Sequence, residues 1–295
     1  MTKFKKLAIP YFIWMTILVI IPLILMIIMS FLDMEYLEIQ NAKFTFANVA
    51  KAYSHENIKA FFKAIKISSI ATLGCLIIAY PIAYIISKIK FISKSLLLII
   101  FILPMWTNML LRIKTINNML DKKGLMQSIF HYSLNLTGTE AAVIIVMIIV
   151  YLPFMIFPIY TVLEKIDNSL IEASADLGAT PRKTFLKVTL PLSLKGVTSG
   201  VTMVFLPCAM GFTITSLISN GRITLIGNII ENYFNRTSNW TLGMFAALSI
   251  IIIILFAIWL IGKLDPEGET LLWQKILIME KRKSQSFQTF LKYAL

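Results

Sequence analysis

The sequence predicts an all-α membrane protein whose core is a bundle of six transmembrane helices. Of the 295 residues, 58% are hydrophobic and only 15% are charged, whereas a soluble domain carries about a quarter charged residues. The charges are also unevenly distributed, because six long segments contain no Asp, Glu, Lys or Arg. An apolar helix of about 20 residues spans the roughly 30 Å hydrocarbon core of a bilayer. The charge-free segments are Leu7–Leu32, Ile67–Ser87, Ser95–Leu111, Ala141–Leu163, Gly196–Gly221 and Thr237–Gly262.

These segments divide the chain into four regions. Residues 1–32 are an N-terminal segment and the first transmembrane helix, and residues 33–66 are an outer loop that carries a short surface helix. Residues 67–262 are a five-helix core that includes a long inner loop at 164–195. Residues 263–295 are a basic tail, which we expect on the inner side of the membrane.

The positions of the basic residues predict the orientation of the chain. The net charge of +13 resembles that of a nucleic-acid-binding protein until the charges are assigned to loops. With the N-terminus inside, most of the 28 lysines and arginines lie in cytoplasmic segments, as the positive-inside rule requires. We therefore expect both termini in the cytoplasm, membrane lipid around the bundle, and no nucleic-acid partner.

The sequence also argues against several classes of membrane protein. A self-sufficient channel or carrier coupled to ions usually needs buried ionisable groups, and the predicted spans contain none. An intramembrane enzyme needs a constellation such as HExxH or paired aspartates, which the spans also lack. Cys75 and Cys208 fall inside spans, and His55 and His131 lie far apart in polar loops. We therefore expect neither a disulfide framework nor a metal site.

The inner loop begins with the pattern of a capped helix. Asp167 or Asn168 can cap a short helix over Ser169–Leu177. Gly178 follows it and is suited to a left-handed C-terminal stop. This part of the loop is therefore predicted to be ordered.

The second half of the inner loop predicts another helix. Thr180 can cap it, and Pro181 takes the first helical position, where a missing N–H costs nothing. Leu190-Pro191 is predicted to end this helix and to redirect the chain into the fifth span. Together the two helices predict a rigid projection on the inner side.

The same loop carries a sequence signature. Glu172-Ala173, Gly178 and Leu190-Pro191 match the pattern E-A-A-x3-G-x9-I-x-L-P at the required spacing, with Ser174 and Val188 as mild departures. On these residues the chain resembles the permeases of binding-protein-dependent ABC importers. In that family the loop forms a coupling helix that docks in a cleft of a cytoplasmic ATPase. The resemblance implies that the coupling residues are Glu172, Ala173, Gly178, Leu190 and Pro191.

The resemblance implies a type I importer permease bundle in the cytoplasmic membrane of a bacterium. The chain has no G-x-x-x-x-G-K-[ST] phosphate-binding loop, because its only Gly-Lys pair, Gly262-Lys263, has Ala257 where the first glycine is needed. We therefore expect a non-catalytic subunit that binds no cofactor, with ATP and Mg²⁺ held by two separate ATP-binding subunits. A homologous second permease subunit and an extracytoplasmic substrate-binding protein complete the implied assembly.

Further segments resemble the B-type permeases of spermidine/putrescine importers. They are Leu103–Arg112, Tyr151–Asp167 and Leu225–Asn228. The resemblance therefore implies transport of polyamines. In the fifth span, such permeases often carry acidic residues near the position of Thr215-Ser216, so this subunit is expected to leave that charge to its partner. A permease for iron(III) or an oxyanion is the alternative, and the absence of intramembrane cations argues against an anion.

Three residues are candidates for the solute pathway: Trp106, Asn108 and Glu231. The segment from Leu103 to Asn108 places an indole and two polar side chains beside a proline. A polycation is suited to contacts with aromatic faces and carboxylates. An interfacial aromatic belt is the alternative role for Trp106, and a solvated outer charge is the alternative for Glu231.

Overall fold

The structure is a computed structural model, and it describes residues 10–33, 43–89, 94–131, 135–237 and 239–264. The first nine residues and the tail after Leu264 lie outside the described residues. The helices are α1 (Pro10–Ser30), α2 (Ala47–Ala52), α3 (His55–Lys88), α4 (Lys94–Ile102), α5 (Met109–Leu120), α6 (Leu125–Phe130), α7 (Glu140–Leu163), α8 (Asn168–Asp176), α9 (Pro181–Met210), α10 (Thr213–Ile218), α11 (Ile226–Asn235) and α12 (Trp240–Leu264). A two-residue hairpin pairs β1 (Leu32–Asp33) with β2 (Lys43–Phe44) in antiparallel register.

The helical segments account for the predicted bundle. Within the described residues, α1, α3, α7 and α9 are each long and apolar enough to cross a membrane. The bent pair α4 and α5 has the length and composition of a fifth span when its two helices are counted together. The helix α12, whose apolar part is Trp240–Phe256, lies at the predicted sixth segment. The all-α membrane fold is therefore confirmed. The cytoplasmic location of both termini stays a prediction.

Helix α3 begins well before the charge-free segment that predicted it. The Ser54 side chain caps the helix by accepting a hydrogen bond from the Asn57 amide at 3.4 Å. Lys63 then pairs with Glu140, the first residue of α7, at 3.1 Å. The predicted outer loop at 33–66 is therefore shorter than expected. The charge-free criterion detects the apolar part of a helix and misses the turns that project beyond it.

The core is built around α7, which packs against both α3 and α9. The face of α3 that is buried carries mainly small side chains at every third or fourth position, which lets two helices approach closely. These buried small residues are Ala60, Ala64, Ser68, Ala71, Cys75, Ala79 and Ala83. On the other side of α7, Gly196 and Gly200 of α9 lie against Pro158 and Met155. Close packing of small residues therefore holds the three central helices together.

Replacing Gly196 with alanine is expected to destabilise the bundle, whereas the same change at Gly74 is expected to be tolerated. A Cβ at Gly196 would lie 2.8 Å from the Pro158 carbonyl oxygen, which belongs to a rigid backbone. A Cβ at Gly74 would instead meet the end of the Ile148 side chain, which can move. Overpacking costs about 1–3 kcal/mol, so Gly196→Ala should lower the melting temperature of the purified protein in detergent. Equal stability of the two variants would contradict this packing.

The predicted third span is not one straight helix. Helix α4 ends in a 3-10 turn at Leu103–Trp106, and α5 leaves it at an angle of 93°. The Asn108 side chain caps α5 by accepting a hydrogen bond from the Leu110 amide at 2.9 Å. The Arg112 guanidinium reaches back and donates to the Pro104 carbonyl at 2.7 Å. Side-chain hydrogen bonds therefore satisfy backbone groups that the break leaves free.

The predicted helix end at Leu190-Pro191 is wrong. The chain continues as one helix from Pro181 to Met210, with a π-helical segment at Phe185–Thr189. In this segment the Leu190 amide bonds to the Phe185 carbonyl, so the hydrogen-bond pattern changes just before the proline. Pro191, which has no amide hydrogen, is accommodated where the ordinary pattern is already interrupted.

Candidate functional site: coupling loop and solute pathway

The inner loop begins with the capped helix that the sequence predicts. The Asp167 carboxylate accepts a hydrogen bond from the Ser169 amide at 3.0 Å, and this bond lowers the pKa of Asp167. The cap is therefore charged at neutral pH, and its contribution is lost only as the pH falls through that lowered pKa. At the other end, Gly178 has φ +76°, and its amide bonds to the Ala175 carbonyl at 2.8 Å. The predicted left-handed stop is confirmed.

The second helix of the loop is joined to the first by a side-chain bond. The Thr180 hydroxyl caps this helix by accepting from the Lys183 amide at 3.4 Å. The hydroxyls of Ser174 and Thr184 lie 2.7 Å apart, and Ser174 also donates to the Ile171 carbonyl at 2.9 Å. Ser174, which departs from the sequence signature, therefore ties α8 to the start of α9. The loop is a rigid projection, as predicted.

The tip of this projection exposes an apolar residue that the sequence analysis missed. Leu177 is 88% exposed and directly precedes Gly178. Glu172 and Ala173, one turn earlier on α8, are also exposed. The sequence signal that could have revealed this residue is a leucine directly before a helix-stopping glycine in a mainly polar loop. The tip thus presents the apolar side chain of Leu177 near the Glu172 carboxylate, and this combination suits docking to another protein.

The predicted coupling residues separate into two groups in space. Glu172, Ala173 and Gly178 lie on the projecting part of the loop. Leu190 and Pro191 lie within α9, where Leu190 is half-buried and Pro191 is exposed. The first group can touch a docked partner directly. The second group belongs to the helix that connects the projection to the bundle.

Trp106 and Asn108 lie at the break between α4 and α5. The Trp106 side chain is 87% exposed, which is compatible with a pathway wall and with an aromatic belt. The side-chain oxygen of Asn108 is occupied by the Leu110 amide, with the Leu111 amide farther away at 3.4 Å. Asn108 therefore has a structural role as a helix cap. Of these two residues, Trp106 is the more available for contact with a solute.

Glu231 lies in a cleft beside the C-terminal end of α9, where Met210 forms part of the wall. The cleft has a volume of about 320 Å³, and its walls are mainly apolar, with Met210, Phe212 and Phe234 among them. The half-buried Glu231 carboxylate accepts a hydrogen bond from the Asn235 side chain at 3.1 Å. No ion pair to Glu231 occurs among the described residues. A carboxylate without a cationic partner in an apolar cleft is suited to a cationic ligand.

A network of polar side chains lies where α9 ends and α10 begins. Asn228 of α11 accepts a hydrogen bond from the Thr215 hydroxyl at 2.8 Å and donates to the Ser216 hydroxyl at 2.9 Å. It also donates to the Phe212 carbonyl at 3.3 Å. Thr215 is fully buried and Ser216 is exposed, and the bonds of both hydroxyls to Asn228 connect α10 to α11. The sequence alone gave no sign of the role of Asn228.

The structure does not bring the three pathway candidates together. Trp106 and Asn108 belong to the α4–α5 break, and Glu231 belongs to α11. Among the described residues, no hydrogen bond or ring contact joins the two places, and the cleft lining includes neither Trp106 nor Asn108. Each place is therefore a separate candidate contact along a pathway.

The comparison that decides the family covers most of the chain. The profile of binding-protein-dependent transport system inner membrane components matches residues 2–267. The chain belongs to this family. It is thus the permease component of a transport system in the inner membrane, and the coupling signature lies inside the matched region.

Relatives with curated names match this permease over almost their full length. It is 35% identical over 263 residues to the spermidine/putrescine transport system permease protein PotB of Haemophilus influenzae, covering 87% of this chain and 91% of that protein. It is 32% identical to the protein of the same name from Escherichia coli, covering 81% of this chain and 90% of that protein.

Solved structures share the fold at low sequence identity. A chain of a bacterial ABC transporter for import of the acidic polysaccharide alginate matches with a TM-score of 0.74 at 15% identity, covering 90% of this permease and 95% of that chain. A chain of the MetNI methionine ABC transporter in an inward-facing conformation matches with a TM-score of 0.55 at 17% identity, covering 70% of this permease and 93% of that chain. These likenesses confirm the type I importer permease fold.

Proposed function

We propose that this permease forms half of the translocation pathway of an ATP-driven polyamine importer. The observation that carries the proposal is its identity of 35% with a spermidine/putrescine permease over 91% of that protein's length. The Glu231 cleft supports the same solute class, because a carboxylate beside phenylalanine rings suits an organic ammonium group. The negative charge of Glu231 in this cleft favours a cation over an oxyanion.

The partners follow from what the chain contains and lacks. Its sequence has no phosphate-binding loop, so ATP and Mg²⁺ belong to two ATP-binding subunits outside this chain. A homologous second permease supplies the other half of the pathway, and a substrate-binding protein delivers the solute from outside. A solved alginate transporter of the same fold is in complex with a periplasmic protein, which supports this kind of assembly. The permease itself is non-catalytic.

The rigid loop supports a mechanism for coupling. The ATPases close on ATP, and the projection with Glu172, Ala173 and Gly178 moves with them. Because α9 continues as one helix from the loop into the membrane, the movement reaches the bundle. Leu190 and Pro191 lie in this connecting helix. The two states must differ in their contacts with the ATPase, since a loop without such a difference shifts no equilibrium.

Stimulation of ATP hydrolysis tests the proposed solute. The permease is co-purified with the ATP-binding subunits, second permease and binding protein encoded beside it. Binding protein loaded with spermidine or putrescine should raise the rate of hydrolysis, and addition of iron(III) or an oxyanion instead should not. If iron(III) or an oxyanion stimulates hydrolysis and polyamines do not, the polyamine assignment is overturned. The assignment of the chain to an ATP-driven importer would then still hold. ATP-independent solute flux through the purified permease alone would overturn both.

Replacing Leu177 with alanine is expected to weaken binding of the ATP-binding subunit. Leu177 is 88% exposed in the free chain, and complete burial of a leucine side chain by a partner contributes about 1.5–3 kcal/mol. Its loss should raise the dissociation constant by about tenfold or more, measured by titrating the ATPase onto the permease in nanodiscs. Leu170→Ala, at an exposed leucine near the start of the same helix, is the matched control. Equal effects of the two substitutions would remove Leu177 from the interface.

A further inference from the structure

Helix α9 packs against helix α3 at Phe185, within the inner loop at 164–195, which is called the coupling loop below. The ring of Phe185 contacts two tyrosines of α3, with centroid distances of 5.9 Å to Tyr80 and 5.5 Å to Tyr84, both edge to face. Tyr80 and Tyr84 are four residues apart, so they stand one above the other on one face of α3. Phe185 therefore contacts α3 at two points that lie about one helical turn apart.

A hydrogen bond adds a second point of attachment to the same tyrosine. The Tyr80 hydroxyl lies 2.8 Å from the Ser193 hydroxyl. Ser193 is fully buried and donates its own proton to the Leu190 carbonyl at 2.9 Å, so Tyr80 is the donor to Ser193. Tyr80 is thus fixed by its ring at Phe185 and by its hydroxyl two turns further along α9.

The π-helical segment explains how both attachments face α3. In an ideal α-helix, residues eight positions apart differ by about 80° around the axis. The π-turn at Phe185–Thr189 inserts one extra residue, so that Phe185 and Ser193 come within about 20° of the same face. The irregular turn therefore has a specific consequence, which is a two-point contact that a regular helix would not make.

Helix α3 extends from the side of the coupling loop to the opposite end of the bundle. Phe185 directly follows Thr184, whose hydroxyl lies 2.7 Å from the Ser174 hydroxyl of the coupling loop. Helix α3 has 34 residues and is therefore about 50 Å long. Its C-terminal part carries Tyr80 and Tyr84, and its first residue, His55, lies at the far end. A displacement at Phe185 is thus connected to the side opposite the loop.

We propose that Phe185 and Ser193 of α9, with Tyr80 and Tyr84 of α3, form the joint that passes movement of the coupling loop to α3. These are positioning residues, which touch neither nucleotide nor solute. The inference rests on the proposed function, in which an ATPase moves the loop. It goes beyond that function by naming the contact through which a second helix follows the movement.

The test measures movement of α3 directly in the full transporter. His55→Cys places a thiol at the exposed far end of α3, and the native Cys75 and Cys208 are buried. The rate of labelling by a membrane-impermeant maleimide is compared with and without trapped ATP. In the otherwise unaltered complex the rate should differ several-fold between the two states. Equal rates would overturn the joint, because α3 would not follow the loop.

Phe185→Ala in the labelled complex should abolish most of the nucleotide-dependent difference and lower the ratio of solute imported to ATP hydrolysed by about tenfold. The matched control is Leu186→Ala, an exposed neighbour in the same π-turn, which should leave both readouts unchanged. A retained difference in the Phe185 variant, or an equal loss in the Leu186 variant, would overturn the joint.

The hydroxyl contact provides variants that keep the packing intact. Tyr80→Phe and Ser193→Ala remove one bond and should each reduce the labelling difference, with the double variant no worse than the stronger single one. No effect of either variant would overturn the role of Ser193 in the joint, and additive effects would overturn the shared bond. Failure of the unaltered complex to import polyamines would overturn the proposed function alone, because labelling does not depend on the solute.

Discussion

Replacing Gly178 with valine is expected to remove most ATP-driven solute uptake while the subunits still assemble. Gly178 has φ +76°, a conformation that costs a residue with a side chain about 1–2 kcal/mol and a β-branched residue more. Among the described residues, apart from its two chain neighbours, no atom lies within 4 Å of where its Cβ would be, so the penalty comes from the backbone conformation. Valine should therefore move the tip of the coupling loop without disturbing the bundle.

The Gly178→Val variant should lose solute uptake but keep ATP hydrolysis. Uptake into proteoliposomes should fall by about tenfold or more, while ATP hydrolysis continues without stimulation by the binding protein. Gly178→Asn is the matched control, because asparagine tolerates the left-handed conformation, and it should keep most of the uptake. Normal uptake by the valine variant would show that this glycine has no role in coupling.

Replacing Glu231 with glutamine is expected to reduce polyamine uptake with little effect on assembly. The substitution keeps the shape of the side chain and its hydrogen bond to Asn235, and it removes the carboxylate charge from the apolar cleft. A hydrogen bond to a charged group is worth about 1.5–3 kcal/mol, which corresponds to a loss of about tenfold or more in uptake at low polyamine concentration.

The control for Glu231 is another outer carboxylate. Glu56 lies in the first turn of α3 and is exposed, so Glu56→Gln reports on the general effect of negative charge at this end of the bundle. It should leave uptake almost unchanged. Equal losses in both variants would make Glu231 an ordinary solvated charge, which is the alternative that the sequence left open.

The sequence predicted the helical bundle and the coupling loop well because both depend on local patterns. Charge-free runs locate apolar helices, and the caps at Asp167 and Thr180 and the turn at Gly178 follow from the chemistry of single residues. The 93° break after Trp106 was not predictable from hydropathy, since a bent span and a straight one have the same composition. Its stabilisation depends on the bond from Arg112 to the Pro104 carbonyl, which only the folded chain reveals.

The same distinction applies to the candidate site. A signature with fixed spacing predicted the coupling residues, and this stays a prediction. The signature gave no reason to separate Leu190 and Pro191 from the projecting tip. The continuous course of α9 arises from a π-turn, for which the sequence has no known marker. The cleft around Glu231 required α11 to fold back against the end of α9, where Gly227 meets the Met210 carbonyl. That contact joins two separate helices in the folded chain, so local sequence patterns do not predict it.

The most direct measurement of the central claim is uptake of labelled spermidine and putrescine into proteoliposomes. The vesicles contain the permease, the second permease and the ATP-binding subunits, with ATP inside and binding protein outside. The account predicts uptake that requires every subunit and ATP hydrolysis and that unlabelled polyamine competes away. Binding-protein-stimulated ATP hydrolysis without polyamine uptake would contradict the substrate, and uptake by this permease alone would contradict the importer mechanism.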